Sequence, residues 1–346
     1  MQRSEFVALW NELAQPGGPV VEDMSMSTGK PLQTVYTPPS GWAVGVPFTG
    51  THGDLWITLT RGPLLRSAGT AGGDPEPGTC SGEVIRLNPA NGRASVVMTS
   101  PDNVAIADAV PSPGGHRIAY LAGGCANSYF DMHLVVRSLV TGSQQAHLAS
   151  LTPCHGLSPP SWSAHGRRIL LTVSPSTLPA GSPAVASETC QAPAAGELDV
   201  LTSSGPGTQT RPPSTLTSRG PGTMTEAPGG CSYAGAVFDA GGIAAVRVCG
   251  LQADDYMGAG YLVQLSRSTS ELSVDALEPF DGASLMTNES GQVLVDEYEP
   301  PTYSGTLGHQ VQTGPFDWVW TFDGKTLHLV ARYVAHATAI TGATWW

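Results

Sequence analysis

Val110-Pro-Ser-Pro-Gly-Gly115 followed by Arg117-Ile-Ala-Tyr-Leu121 decides the fold, because it recurs along the chain. A polar, glycine-bearing turn leads into a short apolar strand, the pattern of an antiparallel hairpin. The unit returns as Ser161-Trp-Ser-Ala-His-Gly166 before Arg168-Ile-Leu-Leu-Thr-Val173. Weaker copies are Val237-Phe-Asp-Ala-Gly241 before Ile243-Ala-Ala-Val246 and Thr287-Asn-Glu-Ser-Gly291 before Val293-Leu-Val295. A diverged copy is Thr51-His-Gly53 before Leu55-Trp-Ile-Thr-Leu59.

A second kind of hairpin alternates with the first. Glu83-Val-Ile-Arg-Leu87 runs into Asn91-Gly92, and His133-Leu-Val-Val-Arg137 into Thr141-Gly142. Glu197-Leu-Asp-Val-Leu201 precedes Ser204-Gly205, Tyr261-Leu-Val-Gln-Leu265 a turn near Ser270, and Trp318-Val-Trp-Thr-Phe322 the Asp323-Gly324 turn. A sixth copy, Met24 to Ser27 before Thr28-Gly29, stands alone near the start. Repeats of this length signal a propeller. Six second-half hairpins against five first-half ones leave one first strand missing, and Ile340-Thr-Gly-Ala-Thr-Trp-Trp346 reads as that strand. The expectation is an all-β chain forming one six-bladed β-propeller closed by strands from both termini, which removes exposed sheet edges. Seven blades follow if the N-terminal segment holds another hairpin.

Turn glycines Gly115 and Gly166 lie 51 residues apart and Gly241 and Gly291 lie 50 apart, whereas Gly166 and Gly241 lie 75 apart. The excess falls in two Pro/Ser/Thr/Gly-rich stretches, 174–193 and 203–230, which read as long surface loops on a single domain covering 20–346. Residues 1–19 form a separate N-terminal segment. Its apolar residues Phe6, Leu9, Trp10 and Leu13 have helical spacing, so a helix or a part of the first blade is expected there.

Pro111-Ser-Pro-Gly-Gly-His-Arg-Ile-Ala-Tyr120 and Ser161-Trp-Ser-Ala-His-Gly-Arg-Arg-Ile-Leu170 resemble the Ser-Pro-Asp-Gly-Lys-x-Ile-Ala-Tyr repeat of TolB-like (WD40-like) β-propellers. Gly114 and His165 stand where that repeat has its turn Asp. The resemblance implies a propeller and, by the habit of the class, an exported binding scaffold. It assigns no site residue.

Composition narrows the partners. The 346 residues carry 16 Lys+Arg against 28 Asp+Glu, a formal net charge of −12. Phosphate-backbone binding needs clustered Lys and Arg, so nucleic acid is not expected. With 40% hydrophobic residues the chain can bury a core. No stretch is long and apolar enough to read as a transmembrane segment. Residues 1–15 are too short and polar for a signal peptide.

The six cysteines, Cys80, Cys125, Cys154, Cys190, Cys231 and Cys249, form no C-x-x-C pair. An even, widely spaced set in turn-rich sequence fits three disulfides in an oxidising compartment. An extracytoplasmic protein is therefore expected, its export signal lying outside this sequence. Cys231 precedes the first strand of its blade and Cys249 ends the second, so antiparallel pairing brings them to one edge. Cys154 with Cys190 and Cys80 with Cys125 fit the same edge, with Cys125–Cys154 as a competitor.

Catalytic chemistry is sparse. Peptidases carrying this kind of propeller need a nucleophile elbow, and no G-x-S-x-G occurs. Asp254-Asp255-Tyr256 and Asp296-Glu297-Tyr298-Glu299 read as acidic loops whose oxygens suit Ca²⁺, the one cofactor considered. Trp42, Phe48, Tyr129, Phe130, Tyr256, Tyr298, Tyr303 and Trp318 read as lying in or beside loops, where aromatics anchor partners. The binding-face candidates are Asp254, Asp255, Tyr256, Tyr129, Phe130 and Tyr298. A non-catalytic scaffold presenting a disulfide-pinned loop face to a protein, peptide or glycan is the favoured function. The alternative is a lyase or glycan hydrolase working in the central funnel, where Asp54, Asp108, Asp239, Glu289 and His165 are the residues to inspect.

Overall fold

The computed structural model describes residues 5–12, 20–50, 53–61, 80–88, 91–124, 132–147, 155–175, 197–202, 231–240, 242–249, 259–265, 271–276, 282–287, 291–299, 302–304, 311–313, 316–324, 326–334 and 338–345. They form an all-β propeller arrangement built from antiparallel sheets. The first sheet joins β1 (Glu5–Glu12), β2 (Val20–Ser25) and β3 (Pro31–Tyr36) to β27 (Thr338–Trp345), in the order β27-β1-β2-β3. The second holds β4 (Ala43–Val44), β5 (Phe48–Thr49), β6 (Leu55–Arg61), β7 (Ser81–Asn88) and β8 (Arg93–Thr99). The third runs through β9 (Val104–Pro111), β10 (Arg117–Gly124), β11 (His133–Ser138) and β12 (Gln144–His147).

The fourth sheet contains β13 (His155–Leu157), β14 (Ser161–Trp162), β15 (Arg168–Pro175) and β16 (Glu197–Thr202). The fifth contains β17 (Cys231–Phe238), β18 (Ile243–Cys249), β19 (Ala259–Leu265) and β20 (Glu271–Ala276). The sixth contains β21 (Gly282–Thr287), β22 (Val293–Glu299), β25 (Phe316–Phe322) and β26 (Leu327–Val334). A separate hairpin pairs β23 (Thr302–Ser304) with β24 (Val311–Thr313).

The repeated turn owes its shape to one side chain. Ser112 Oγ accepts from Arg117 N at 3.1 Å, while Ser112 N donates to Arg117 O and Gly115 N to Ser112 O, each at 2.8 Å. The next copy repeats the set: Ser163 Oγ accepts from Arg168 N at 3.0 Å and Gly166 N donates to Ser163 O at 2.7 Å. Gly115 and Gly166 take φ of 68° and 61°, the left-handed region that glycine enters without a Cβ penalty. Asp239 replaces the serine in the fifth sheet, its carboxylate accepting from Gly242 N. The turn thus needs a short side-chain acceptor, whether Ser or Asp.

The core lies between sheets. Val21 of the first sheet packs with Leu55, Ile57 and Ile85 of the second. Trp56, Val84 and Met98 of the second meet Ile106, Ile118 and Tyr120 of the third. Ala105 and Leu121 meet Trp162 and Ile169 across the next boundary, Leu170 meets Tyr233 and Ala236 across the following one, and Val237 and Val246 meet Leu285 and Val293. Met24 of the first sheet shares a cluster with Met286, Leu294 and Val319 of the sixth.

Of the two readings for residues 1–19, a helix or a part of the first blade, Glu5–Glu12 follows the second: it is a strand of the first sheet. Phe6 to Trp10 pairs with Met24 to Val20 on one side, and Phe6 to Glu12 pairs with Trp345 to Thr338 on the other. Ladder bonds on both edges outweigh a weak periodicity over eight residues. Among the described residues no helix is long and apolar enough to cross a membrane.

One contact between turns is backbone-tight. A Cβ on Gly291, where φ is 78°, would sit 2.4 Å from Ala240 N, and Ala240 N donates to Gly291 O at 3.2 Å. Gly142 has a similar φ of 72° with open space around it. Gly142→Ala should therefore cost about 1–2 kcal/mol for the backbone alone. Gly291→Ala should cost more, because two sheets must also separate. Denaturant midpoints of the two variants check this; equal losses would show that the turn contact carries no energy.

Candidate functional site

Strands β4, β5, β9, β13, β14, β17 and β21 each begin a sheet, with one edge paired and the other open. In all but β21 the ladder is interrupted near the middle. Between β4 and β5 lie Gly45, Val46 and Pro47, and between β13 and β14 lie Ser158, Pro159 and Pro160. Proline has no N–H to give the ladder, so pairing breaks there. One bond survives at each break, Gly45 N to Thr58 O at 2.8 Å and Ser158 N to Thr172 O at 3.1 Å. In β9 and β17 the interruption is a register shift, opposite Tyr120 in one and between Tyr233 and Gly235 in the other.

Beyond these breaks the strand ends border an open cavity of about 90 Å³. Phe48, Trp162, Val237, Leu285 and Met286 supply apolar wall. Pro111, Pro113, Pro159 and Pro160 stiffen it. The polar contribution comes from the hydroxyl residues Thr49, Ser112, Ser161 and Thr287. Among the described lining residues none carries a charge.

Neighbouring sheets are locked beside this cavity. Trp162 Nε1 donates to Val110 O at 3.0 Å, and the Arg117 guanidinium lies over the Trp162 ring at 5.2 Å while donating to Gly166 O. The motif shifts by one sheet and repeats: Arg168 lies 5.5 Å over Phe238, whose N–H donates to Ser161 Oγ at 3.1 Å. A guanidinium stacked on an aromatic face is held by the ring quadrupole as well as by packing.

Asp108 sits at the bulge of β9 with φ of 49°. Non-glycine residues seldom take this conformation, and holding one there costs about 1–3 kcal/mol. The second sheet fixes it from outside. Thr58 Oγ1 accepts from Ala109 N at 3.0 Å and Thr60 Oγ1 donates to Ile106 O at 2.8 Å. Ala107 and Ala109, on either side of Asp108, pack into different intersheet clusters. The Asp108 carboxylate is half-buried without a hydrogen-bond or ion-pair partner among the described residues, and burial lifts its pKa to about 6.

The other funnel candidates do not join it. Asp54 pairs with Arg86 at 3.6 Å, Asp239 is used by its turn, and His165 is exposed on the Ser163–Arg168 turn. Glu289 lies outside the described residues, as do the binding-face candidates Tyr129, Phe130, Asp254, Asp255 and Tyr256. Asp296 to Glu299, read as an acidic loop, belongs to β22 and pairs with β21 and β25. Tyr298 is in that strand and Tyr303 in β23. Phe48 is buried in β5. Trp318 is in β25, where it stacks on Trp320 at 5.5 Å beneath Arg332 at 4.4 Å. The apolar run Val293-Leu-Val295 that leads straight into these acids is the strand signal that their density concealed.

Cys80 is buried. Cys231 and Cys249 are register partners at one end of the β17–β18 pair. Directly opposed antiparallel residues lie about 4.5–5.5 Å apart at Cα, within disulfide reach. Cys125, Cys154 and Cys190 are outside the described residues. The cavity wall residue Val237 is at the far end of β17 from Cys231, roughly 20 Å away at ~3.3 Å per residue.

No family model and no curated protein matches the chain. Among solved structures it is similar to TolB from Acinetobacter baumannii, with a TM-score of 0.57 and 12% identity over 99% of this chain and 66% of that one. The fold is a TolB-like β-propeller. A puromycin-hydrolysing peptidase of Mycobacterium tuberculosis superposes with a TM-score of 0.49 at 12% identity, over 95% of this chain and 46% of that one. A periplasmic gluconolactonase of Pseudomonas aeruginosa gives 0.45 at 12% identity, over 96% and 83%. This chain spans about two-thirds of the TolB chain and under half of the peptidase.

Asp108 makes a pH prediction. Its folded pKa lies above the unfolded value near 4, so the folded state binds the extra proton between those limits. The stabilisation is complete below pH ~4 and is lost as pH rises through ~6. Asp108→Asn, whose side chain tolerates the left-handed region, removes the penalty. Relative to the parent it should gain roughly 1–3 kcal/mol at pH 7.5 and little at pH 3.5. Urea unfolding at the two pH values reads this, and a difference that does not change with pH would refute the burial of Asp108.

Proposed function

We propose that this chain is a six-bladed propeller, closed by the pairing of β1 with β27, that serves outside the cytoplasm as a non-catalytic binding or scaffold module. Six sheets of at least four strands and a first sheet that takes strands from both ends of the sequence support the count. The cluster uniting Met24 with Met286 and Leu294 supports closure. The functional reading rests on the axial cavity wall, which offers apolar side chains and hydroxyls without a carboxylate or imidazole among its described residues. Hydrolase or lyase chemistry needs an acid and a base converging on one point. Asp54 and Asp239 are engaged elsewhere.

The partner, a protein, peptide or glycan, meets the opposite face, where Cys80, Cys231 and Cys249 stand at strand ends. Disulfides there hold loops at little entropic cost on binding. Disulfides at these positions would form in an oxidising compartment, which is the one this reading requires.

Peptide mapping without reductant should recover Cys231 linked to Cys249. The double variant Cys231→Ser, Cys249→Ser closes no loop of ~19 residues and should lose about 3 kcal/mol of stability. Free thiols throughout the native protein would defeat the export reading. Peptide and glycan arrays probed with the oxidised chain should show saturable binding that the double variant weakens. Turnover of an array substrate would instead establish the enzyme alternative.

A further inference from the structure

We propose that the propeller axis carries a two-part site for a primary ammonium group on an apolar body, with the Asp108 carboxylate taking the cation and the adjoining cavity the apolar part. The site is separate from the loop face and does not depend on that reading.

Several observations converge on it. Asp108 is the one carboxylate within the described strands β4, β5, β9, β13, β14, β17, β21 and β27. β9 is covered by packed clusters on both faces and by β10 on one edge, so the remaining solvent access of Asp108 is along its open edge. On the same strand Val110 and Pro111 already form cavity wall. Two residues of strand, about 6 Å, separate the carboxylate from that wall. An arylalkyl ammonium spans this distance.

The chemistry selects the ligand class. An unpaired, partly desolvated carboxylate lacks a cation, and the uncharged cavity supplies no competing one. An ammonium carries three donors, and the carboxylate oxygens accept from it with charge assistance. A divalent cation fits poorly, since Ca²⁺ wants six to eight oxygens and one carboxylate stands here. Among the described residues no cluster of three metal-ligating side chains occurs. The cavity's few hydroxyls in an apolar wall match small-molecule and chain-end pockets. A net charge of −12 favours cations over anions at long range.

Calorimetric titration of the full chain at pH 7.5 tests the site with 2-phenylethylammonium, 2-phenylethanol, phenylacetate and methylammonium. Phenylethylammonium should bind roughly ten- to hundredfold tighter than the alcohol, as a charge-assisted bond requires. Phenylacetate should not bind, and methylammonium should bind at least about tenfold more weakly for want of apolar burial. Asp108→Asn should abolish the preference for ammonium over alcohol. The tripeptide amide Phe-Ala-Ala-NH₂, free or acetylated at its amino group, separates two sources of the same chemistry. Binding of only the small amine identifies a free amine ligand, and binding of the free but not the acetylated peptide identifies a peptide amino terminus; either supports the site. Equal binding of amine and alcohol, a preference that survives in Asp108→Asn, or methylammonium binding as tightly as phenylethylammonium overturns it, as does no binding by any probe.

Discussion

Apolar contact between successive sheets is the constraint on which the rest of this structure depends. A single twisted four-stranded sheet has two faces and cannot cover either by itself. Here the second to fifth sheets each bury one face on the sheet before and the other on the sheet after. Ala119 and Leu121 point into the third–fourth boundary while Ile118 and Tyr120 point into the second–third one. Both faces of the second strand are consequently apolar, which explains the unbroken runs Arg117-Ile-Ala-Tyr-Leu121 and Arg168-Ile-Leu-Leu-Thr-Val173. A polar residue there can still be put to use. Thr58, almost wholly buried, caps the next sheet's bulge through Ala109 N.

This constraint also explains why the turns were so legible and the first strands so poorly legible. A tight turn is a local object: Ser112 and Ser163 satisfy Arg117 N and Arg168 N within six residues of sequence, whatever the sheets do. The residue types needed are therefore visible in one short window. The first strands are set by distant partners. Gly45 to Pro47 and Ser158 to Pro160 look like loop sequence, yet they are short interruptions within strands that pair with β6 and β15 on both sides of the break. β1 carried a helical spacing because its fate is decided by β27, more than 300 residues away in sequence. The acids of 296–299 misled for a related reason. Composition suggested a loop, whereas pairing with β21 and β25 made a strand with Asp296 buried in it.

Within the candidate site the same division holds. The cavity wall could not be read from spacing, since Phe48, Val110, Trp162, Val237 and Met286 come together only when five sheets assemble. Asp108 was one of five funnel candidates, and nothing in Ala105-Ile-Ala-Asp-Ala-Val110 set it above the other four. Sequence could not supply its backbone state. The bulge requires two residues, Asp108 and Ala109, opposite Tyr120 alone. Asp and Asn are the non-glycine residues that accept the left-handed conformation most readily. Glycine or asparagine would fill the position without a charge, so geometry alone does not call for aspartate.

That distinction separates strain from function at this position. Aspartate in place of asparagine adds a carboxylate that the fold leaves without a partner and that burial pushes toward its neutral form. An unpaired buried charge is a net cost to the folded chain. The second sheet meets the conformational part of that cost through Thr58 and Thr60, which hold the bulge backbone on both sides of Asp108. Nothing among the described residues meets the electrostatic part. A group outside the chain that brings a positive charge to the axis would meet it, and the uncharged wall beginning at Val110 leaves room for whatever carries that charge.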